Sequence, residues 1–128
     1  MKIQESAENY LETIFLLSQK GKPVRSIDIA GELEFSKPSV SVAMKNLRAN
    51  GYISVDTDGY ITLTDPGLTV AKAMYERHVY ISDWLISLGV DDETAVKDAC
   101  RMEHAMSEKS FTAIKEHVEE WKLRTGKM

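Results

Sequence analysis

The stretch of sequence that decides the fold is residues 26–63, SIDIAGELEFSKPSVSVAMKNLRANGYISVDTDGYITL. Its beginning predicts a helix over residues 26–34, because apolar residues recur there at helical spacing. The predicted inner face of this helix comprises Ile27, Ile29, Ala30 and Leu33. After a short turn, Ser36 is a favoured N-cap, and Pro38 stands in the next first turn, where a missing backbone N–H costs little. This second helix is predicted to end near Asn50-Gly51, a common C-cap pair.

A β-hairpin is predicted immediately after these two helices. Residues 52–55 and 60–63 are short runs rich in β-branched and aromatic side chains. Asp58-Gly59 lies between them and is a strong hairpin-turn signal. Two helices joined by a tight turn and followed by a hairpin form the order of a winged helix-turn-helix.

The flanking sequence is predicted to be helical on both sides. Ser6 would cap a first helix that runs to about residue 19 and stops at Gly21 and Pro23. Three more helices are predicted over residues 65–88, 93–105 and 108–123, the last of them capped by Ser107. The fold class is therefore mainly α, with a winged helix-turn-helix domain over residues 1–64 and an all-helical domain over residues 65–128.

Composition excludes several classes of protein. The chain has 128 residues and a formal net charge of -4, and no segment approaches the roughly 18 apolar residues of a membrane helix. The first ten residues lack a signal-peptide pattern, so we expect a cytoplasmic protein with no membrane contact. Cys100 is the only cysteine, which fits a reducing compartment. It is either a packed small hydrophobe or a functional thiolate.

Charge is distributed unevenly, in a way that suits duplex DNA. Residues 20–50 carry six basic and three acidic side chains, whereas residues 65–128 carry nine basic and twelve acidic ones. A helix with small and basic residues on its outer face can enter a major groove. The predicted DNA-binding residues lie on this helix and at the start of the preceding one: Arg25, Ser26, Ser36, Lys37, Pro38, Ser39, Ser41, Val42, Lys45 and Arg48.

A second constellation suggests a metal site. Cys100, Glu103 and His104 stand at i, i+3 and i+4, so one helix face would carry all three. A thiolate, a carboxylate and an imidazole suit a transition metal better than calcium or magnesium. By spacing alone the set remains open, because Glu103-His104 can equally be an exposed pair and Cys100 a core residue.

Six short segments, taken together, resemble the diphtheria toxin repressor and manganese transport regulator family. Residues 98–107, DACRMEHAMS, are similar to its metal-binding helix, and residues 6–15, SAENYLETIF, to its first helix. Residues 28–33, DIAGEL, and 36–41, SKPSVS, resemble its helix-turn-helix. Residues 64–67, TDPG, and the pair Arg77-His78 also match in place.

The resemblance implies a metal-dependent repressor of the short form, which lacks an additional C-terminal domain. Its metal would be Mn²⁺ or Fe²⁺, with Co²⁺, Ni²⁺ or Zn²⁺ able to substitute in vitro, and no organic cofactor is expected. The implied ligands are Asn9, Glu12, His78, Cys100, Glu103 and His104. Asn9 departs from the family, which has methionine or aspartate there. Ser82 and Val96 replace a carboxylate and a histidine of the iron-type secondary site.

The implied partners are operator DNA and a second copy of the chain. The helical half carries a surplus of apolar residues that pairing would bury: Met74, Val79, Ile81, Trp84, Leu85, Ile86 and Phe111. Three alternatives are a winged-helix regulator that responds to a non-metal ligand, a small metalloenzyme and a protein-interaction module. An enzyme is not expected, because the sequence has no nucleophile–base pairing, phosphate loop or H-E-x-x-H motif.

Overall fold

A computed structural model describes residues 5–126 of the chain. In this range the element order is α1 (Glu5–Gln19), α2 (Ser26–Leu33), α3 (Lys37–Ala49), β1 (Ile53–Val55), β2 (Ile61–Leu63), α4 (Asp65–Ser87), α5 (Asp92–Met102) and α6 (Glu108–Thr125). The mainly α prediction, with a winged helix-turn-helix first and a helical domain second, is confirmed. The described residues include no helix that is both long and apolar enough to cross a membrane.

The chain forms two compact units that divide between Ala73 and Met74. Helix α4 crosses this division and contributes its beginning to the first unit and its remainder to the second. The predicted domain boundary after residue 64 lies at the start of this helix and stays a prediction.

The core of the first unit is built from one face of each helix and from both strands. Its buried apolar residues are Tyr10, Leu11, Ile14, Val24, Ile29, Ala30, Val40, Met44, Leu47, Ile53, Ile61 and Ala71. Two details of the prediction are wrong here. Ile27 is 56% exposed instead of belonging to the inner face of α2, and Ser6 lies inside α1, which already begins at Glu5.

The turn between α2 and α3 uses a left-handed residue. Glu34 has φ 57° at the C-cap of α2, and the Phe35 N–H donates to the carbonyl of Ala30. The Ser36 hydroxyl then accepts a hydrogen bond from the Ser39 N–H at 3.3 Å, which confirms the predicted N-cap of α3. Pro38 stands in the first turn of that helix, as expected.

The hairpin is antiparallel, with Ile53 opposite Leu63 and Val55 opposite Ile61. Its loop, residues 56–60, is one residue longer than the gap between the two predicted strand runs. The Asp56 carboxylate accepts hydrogen bonds from the N–H groups of Asp58 and Tyr60, both at 2.9 Å, and Gly59 has φ 85°. An acidic side chain therefore organises the tip of the wing.

Helices α5, α6 and most of α4 form the second unit. Its buried apolar residues are Met74, Ile81, Ala95, Ala99, Phe111 and Val118. The Asp91 carboxylate caps α5 by accepting from the Thr94 N–H at 3.0 Å, and Ser107 caps α6 in the same way. Helix α5 ends at Met102, three residues earlier than predicted. Glu103 and His104 therefore lie after the helix and not within it.

Candidate metal centre and nucleic-acid interface

The second unit gathers four side chains that can ligate a metal. The Nδ1 atom of His78 lies 3.2 Å from Oε2 of Glu103 and 3.7 Å from the Cys100 sulfur. The other Glu103 oxygen, Oε1, lies 3.3 Å from Nε2 of His104. The Glu103 side chain is 1% exposed and that of His104 is 3% exposed. The buried Glu103 carboxylate thus contacts both imidazole rings, and the Cys100 thiol lies beside that of His78.

The backbone that holds these side chains differs from the predicted continuous helix. Cys100 lies in the last turns of α5, Glu103 is the C-cap of that helix, and His104 belongs to the turn that follows. The prediction that one helix face carries all three is therefore wrong, because the helix has already ended. Cys100 is exposed, so the alternative that it is a packed hydrophobe is also wrong.

The donor atoms and their spacing fit a divalent transition metal. Nitrogen and oxygen ligands stand about 2.0–2.2 Å from such an ion and sulfur about 2.3 Å. At tetrahedral or octahedral angles, the donors around one ion are then roughly 3.0–3.6 Å apart. The separations around Glu103, 3.2 and 3.3 Å, fall in this range and the His78–Cys100 separation of 3.7 Å is close to it. A mixed set of nitrogen, oxygen and sulfur favours Mn²⁺, Fe²⁺, Co²⁺ or Zn²⁺ over Ca²⁺ or Mg²⁺.

The cluster also changes the protonation of His78. Hydrogen bonding to the Cys100 sulfur, and secondly to the Glu103 carboxylate, raises the pKa of His78 from 6.5 to about 10. Partial burial opposes this shift because it disfavours the charged ring. At neutral pH the His78 ring therefore carries a proton in the metal-free chain, at the nitrogen that faces both neighbours.

This protonation predicts a pH dependence of metal binding. A metal on Nδ1 of His78 must displace that proton, so the apparent affinity should increase as the pH rises from neutral towards about 10. Calorimetric titration with Mn²⁺ in buffers of different ionisation enthalpy counts the protons released. We expect about one more proton from the unsubstituted chain than from His78→Ala. Equal proton release from the two proteins would contradict the role given to His78.

Sequence reasoning missed one residue of this site. Arg77 precedes His78 on α4, and its guanidinium donates to the carbonyl oxygens of Glu103 and Met106 at 3.0 and 2.7 Å. The side chain is 10% exposed. A basic residue beside a candidate histidine was visible in the sequence, but the end of α5 that it contacts lies 26 residues further on.

The remaining metal candidates belong to the first unit. Asn9 and Glu12 stand three residues apart on α1 of the first unit, where Asn9 is half-buried and Glu12 is 5% exposed. Both stay predicted ligands. Ser82 and Val96 stand where the iron-type secondary site has a carboxylate and a histidine. Ser82 is buried on α4 and Val96 is 44% exposed on α5. Neither side chain can replace the carboxylate or the histidine as a metal ligand.

The predicted DNA-binding residues are accessible to solvent in the first unit. Helix α3 turns Val40, Met44 and Leu47 into the core, which leaves its opposite face to solvent. Of the predicted residues, Ser26 is half-exposed and the following are exposed: Arg25, Ser36, Lys37, Pro38, Ser39, Ser41, Val42, Lys45 and Arg48. Small side chains in the middle of this face and cations at its C-terminal end suit a helix that enters a major groove.

Three of these residues have defined side-chain contacts. The Arg25 guanidinium lies 4.4 Å from the centroid of the Tyr60 ring, so a cation–π contact links the start of α2 to the wing. The Ser36 hydroxyl donates to the Ser39 hydroxyl at 2.8 Å. Both contacts limit the conformations of side chains that the DNA phosphate backbone could contact. Both form in the absence of DNA.

A winged helix-turn-helix unit, combined with a helical unit whose clustered side chains can bind a transition metal, is typical of metal-responsive DNA-binding regulators. Comparison with known proteins places the chain within that class. Residues 2–61 match the model of the iron dependent repressor, N-terminal DNA binding domain. Residues 64–123 match that of the iron dependent repressor, metal binding and dimerisation domain.

Curated relatives and a solved structure agree with these matches. An HTH-type transcriptional regulator of Methanocaldococcus jannaschii is 32% identical over 122 residues, which cover 94% of this chain and 98% of that protein. The transcriptional regulator MntR of Escherichia coli is 33% identical and covers 88% of this chain and 72% of its own. A manganese-dependent transcriptional repressor in complex with manganese superimposes with a TM-score of 0.83 at 26% identity, over 88% of this chain and 52% of that one.

The chain therefore belongs to the iron-dependent repressor family of metal-dependent transcriptional regulators, which confirms the resemblance drawn from its sequence. It spans about half the length of the solved repressor it matches.

Proposed function

We propose that this protein represses transcription of metal-homeostasis genes by binding operator DNA as a homodimer when Mn²⁺ or Fe²⁺ is bound. The observation that carries the proposal is the buried Glu103 carboxylate within 3.3 Å of both His78 and His104. The metal identities follow from the relatives, which are named as manganese-dependent and iron-dependent repressors. With a bound metal, these residues would hold the ion and the ion would supply the positive charge that joins them.

The switch that we propose uses ligands from both units. Glu12, with Asn9, would add donors from α1 to those of His78, Cys100, Glu103 and His104. A metal shared in this way would fix the orientation of the two recognition helices α3 in the dimer. Half-sites on DNA are about 34 Å apart, so only a restricted set of orientations can read both. Metal and DNA would then favour the same state and strengthen each other's binding.

Dimer formation is supported by half-buried apolar residues of the second unit. Ile81, Met74 and Phe111 are buried within the chain, whereas Val79, Trp84, Leu85 and Ile86 keep part of their surface accessible. Pairing with a second copy would remove that surface from water.

We infer that the dimer acts in the cytoplasm and is not an enzyme, since DNA is its expected partner and its relatives are named as regulators.

The experiment that tests the proposed function measures duplex affinity with and without metal. A random duplex pool is enriched for binding in Mn²⁺, and the selected duplex is titrated by fluorescence anisotropy in Mn²⁺, in Fe²⁺ under nitrogen, and in chelator. We expect the affinity to be about 5- to 150-fold higher with metal, the range typical of allosteric coupling. Equal affinities would favour a regulator that responds to a non-metal ligand, and failure to enrich any duplex would contradict DNA binding.

The exposed face of α3 leads to a prediction about salt. Lys45→Ala should weaken binding to all duplexes by a similar factor and reduce the slope of log K against log salt by about 1, because one phosphate contact is lost. Anisotropy titrations at several salt concentrations measure this slope. Lys109→Ala, on the exposed surface of α6, is the matched control and should leave the slope unchanged. An unchanged slope for Lys45→Ala would remove this residue from the interface.

A further inference from the structure

Arg77 is a buried cation whose bonds are mostly to backbone. One guanidinium nitrogen, Nη1, donates to the carbonyl oxygens of Glu103 and Met106 at 3.0 and 2.7 Å. The other, Nη2, lies 3.2 Å from a carboxylate oxygen of Glu108, a side chain that is 89% exposed. The guanidinium also lies 5.2 Å from the centroid of the Phe111 ring. Because water screens an exposed partner, the Glu108 pair contributes little, and the carbonyl bonds account for the position of Arg77.

The bonds from Arg77 satisfy backbone carbonyl groups at and just after the C-terminal end of α5. The last carbonyl groups of a helix have no partner within it, and they carry a partial negative charge that favours a cation. Glu103 is the C-cap of α5, and its carbonyl is one of the two that Arg77 contacts. Met106, the other, lies three residues later, so Arg77 holds both ends of a turn that contains His104.

We propose that Arg77 is a positioning residue for the metal centre. It holds the turn from Glu103 to Met106 in the conformation that binds metal. Its neighbour His78 lies on the same helix and contacts the Glu103 carboxylate directly. Two consecutive residues of α4 therefore fix Glu103 at its backbone and at its side chain. This inference rests on the proposed function, because it concerns the same metal-binding residues.

The consequence is that metal affinity depends on a residue that does not touch the metal. Arg77 supplies no metal ligand, since guanidinium is a permanent cation. Without its bonds, the turn would sample other conformations, and the metal would have to order it on binding. Groups that orient metal ligands typically contribute 10- to 100-fold in affinity.

The test compares Arg77→Lys with the matched control Glu108→Gln in the full chain. Lysine keeps the charge but lacks the planar fork of donors, whereas Glu108→Gln removes only the exposed partner. We expect Arg77→Lys to weaken Mn²⁺ binding by about 10- to 100-fold in calorimetry. The visible spectrum of the Co²⁺ form, which reports ligand geometry, should change as well. Glu108→Gln should keep the affinity within about twofold and leave the spectrum unchanged.

The outcomes separate this inference from the proposed function. If the unsubstituted chain binds no Mn²⁺ or Co²⁺, the proposed function fails first. If it binds the metals and Arg77→Lys gives the same affinity and the same Co²⁺ spectrum, the positioning role is overturned. Arg77→Gln, whose amide can still donate to one carbonyl, is the second variant should Arg77→Lys lack a native circular dichroism spectrum. If neither variant folds, Arg77 is a general folding residue and the inference is overturned.

Discussion

Glu103→Gln is expected to eliminate the metal dependence of operator binding while leaving the fold intact. The substitution keeps the shape of the side chain but removes the charge that both imidazoles contact, at 3.2 and 3.3 Å. A neutral amide is a much weaker ligand than a carboxylate for a hard divalent ion. We expect Mn²⁺ affinity to fall by at least about 100-fold, beyond the range for residues that only orient ligands. The operator affinity in Mn²⁺ should then equal that in chelator, as measured by anisotropy.

The control for this experiment is Glu119→Gln, an identical change at an exposed position of α6. It should leave the metal affinity and the operator affinity unchanged. In chelator, Glu119→Gln should unfold at the same temperature as the unsubstituted chain. Glu103→Gln should keep a native circular dichroism spectrum but unfold at a lower temperature, because the charged His78 ring loses its buried carboxylate partner. If Glu103→Gln retained metal-dependent DNA binding, then the four-residue cluster would not be the regulatory site, and a regulator that responds to another ligand would become the better explanation.

Gly67→Ala should destabilise the protein markedly, because Gly67 is the one glycine of the described chain whose added Cβ would meet other atoms within 4 Å. A Cβ atom built at Gly67 would overlap the carbonyl oxygen of Tyr52, which is backbone and cannot turn away. The start of α4 must therefore move away from the end of α3 and the beginning of the hairpin. Forced overpacking of this kind costs about 1–3 kcal/mol. Thermal or urea unfolding measures the loss, followed by circular dichroism.

Gly31→Ala is the matched control for this change. Gly31 lies inside α2 with nothing within 4 Å of a built Cβ atom. Alanine is favoured over glycine in a helix by about 0.5–1 kcal/mol, so this substitution should stabilise the protein slightly. The two variants carry the same chemical change, and opposite signs are expected. If Gly67→Ala were as stable as the unsubstituted chain, the close approach to Tyr52 would be wrong.

The Tyr52 contact also explains one segment that the sequence analysis could only match to a family. The Thr64 hydroxyl donates to the carbonyl of Gly51 at 2.6 Å and accepts from the Gly67 N–H at 3.3 Å. Thr64 therefore links the residue before the hairpin to the beginning of α4. Pro66 stands in the first turn of α4, and Gly67 allows this helix to lie close to the Tyr52 backbone. The Thr64–Gly51 bond and the approach of Gly67 to Tyr52 are not visible as periodicity, because their partners lie 13 and 15 positions apart.

Local signals predicted the fold well where caps and turn residues are strong. Ser36 and Pro38 marked the start of α3 correctly, and Asp58-Gly59 placed the hairpin. The errors arose where tertiary contacts override local preference. Residues 103–105 have ordinary helical propensity, but α5 ends at Met102 and Arg77 binds the carbonyl of Glu103. Ile27 fitted the helical period of α2, yet it is exposed, since a short helix needs only part of its apolar face for the core.

Candidate ligands could be proposed from the sequence, but their geometry could not. Spacing indicated Cys100, Glu103 and His104, while His78 entered only through the family resemblance. The structure shows why spacing alone was insufficient: Glu103 contacts His78 from another helix, and this contact joins the group. Arg77 was missed for a related reason, because a buried arginine that binds backbone carbonyls leaves no pattern of side chains to detect.

The acidic wing has a consequence for how this protein meets a polyanion. Asp56 would ordinarily repel phosphates, but both N–H groups that it binds, those of Asp58 and Tyr60, disperse its negative charge. The same two bonds keep the loop rigid before any encounter, so little entropy is lost on contact. Tyr60, held there, also receives the Arg25 guanidinium. The Asp56 carboxylate thus holds the loop residue on which Arg25 packs, and replacing Asp56 should weaken the loop and the Arg25–Tyr60 contact together.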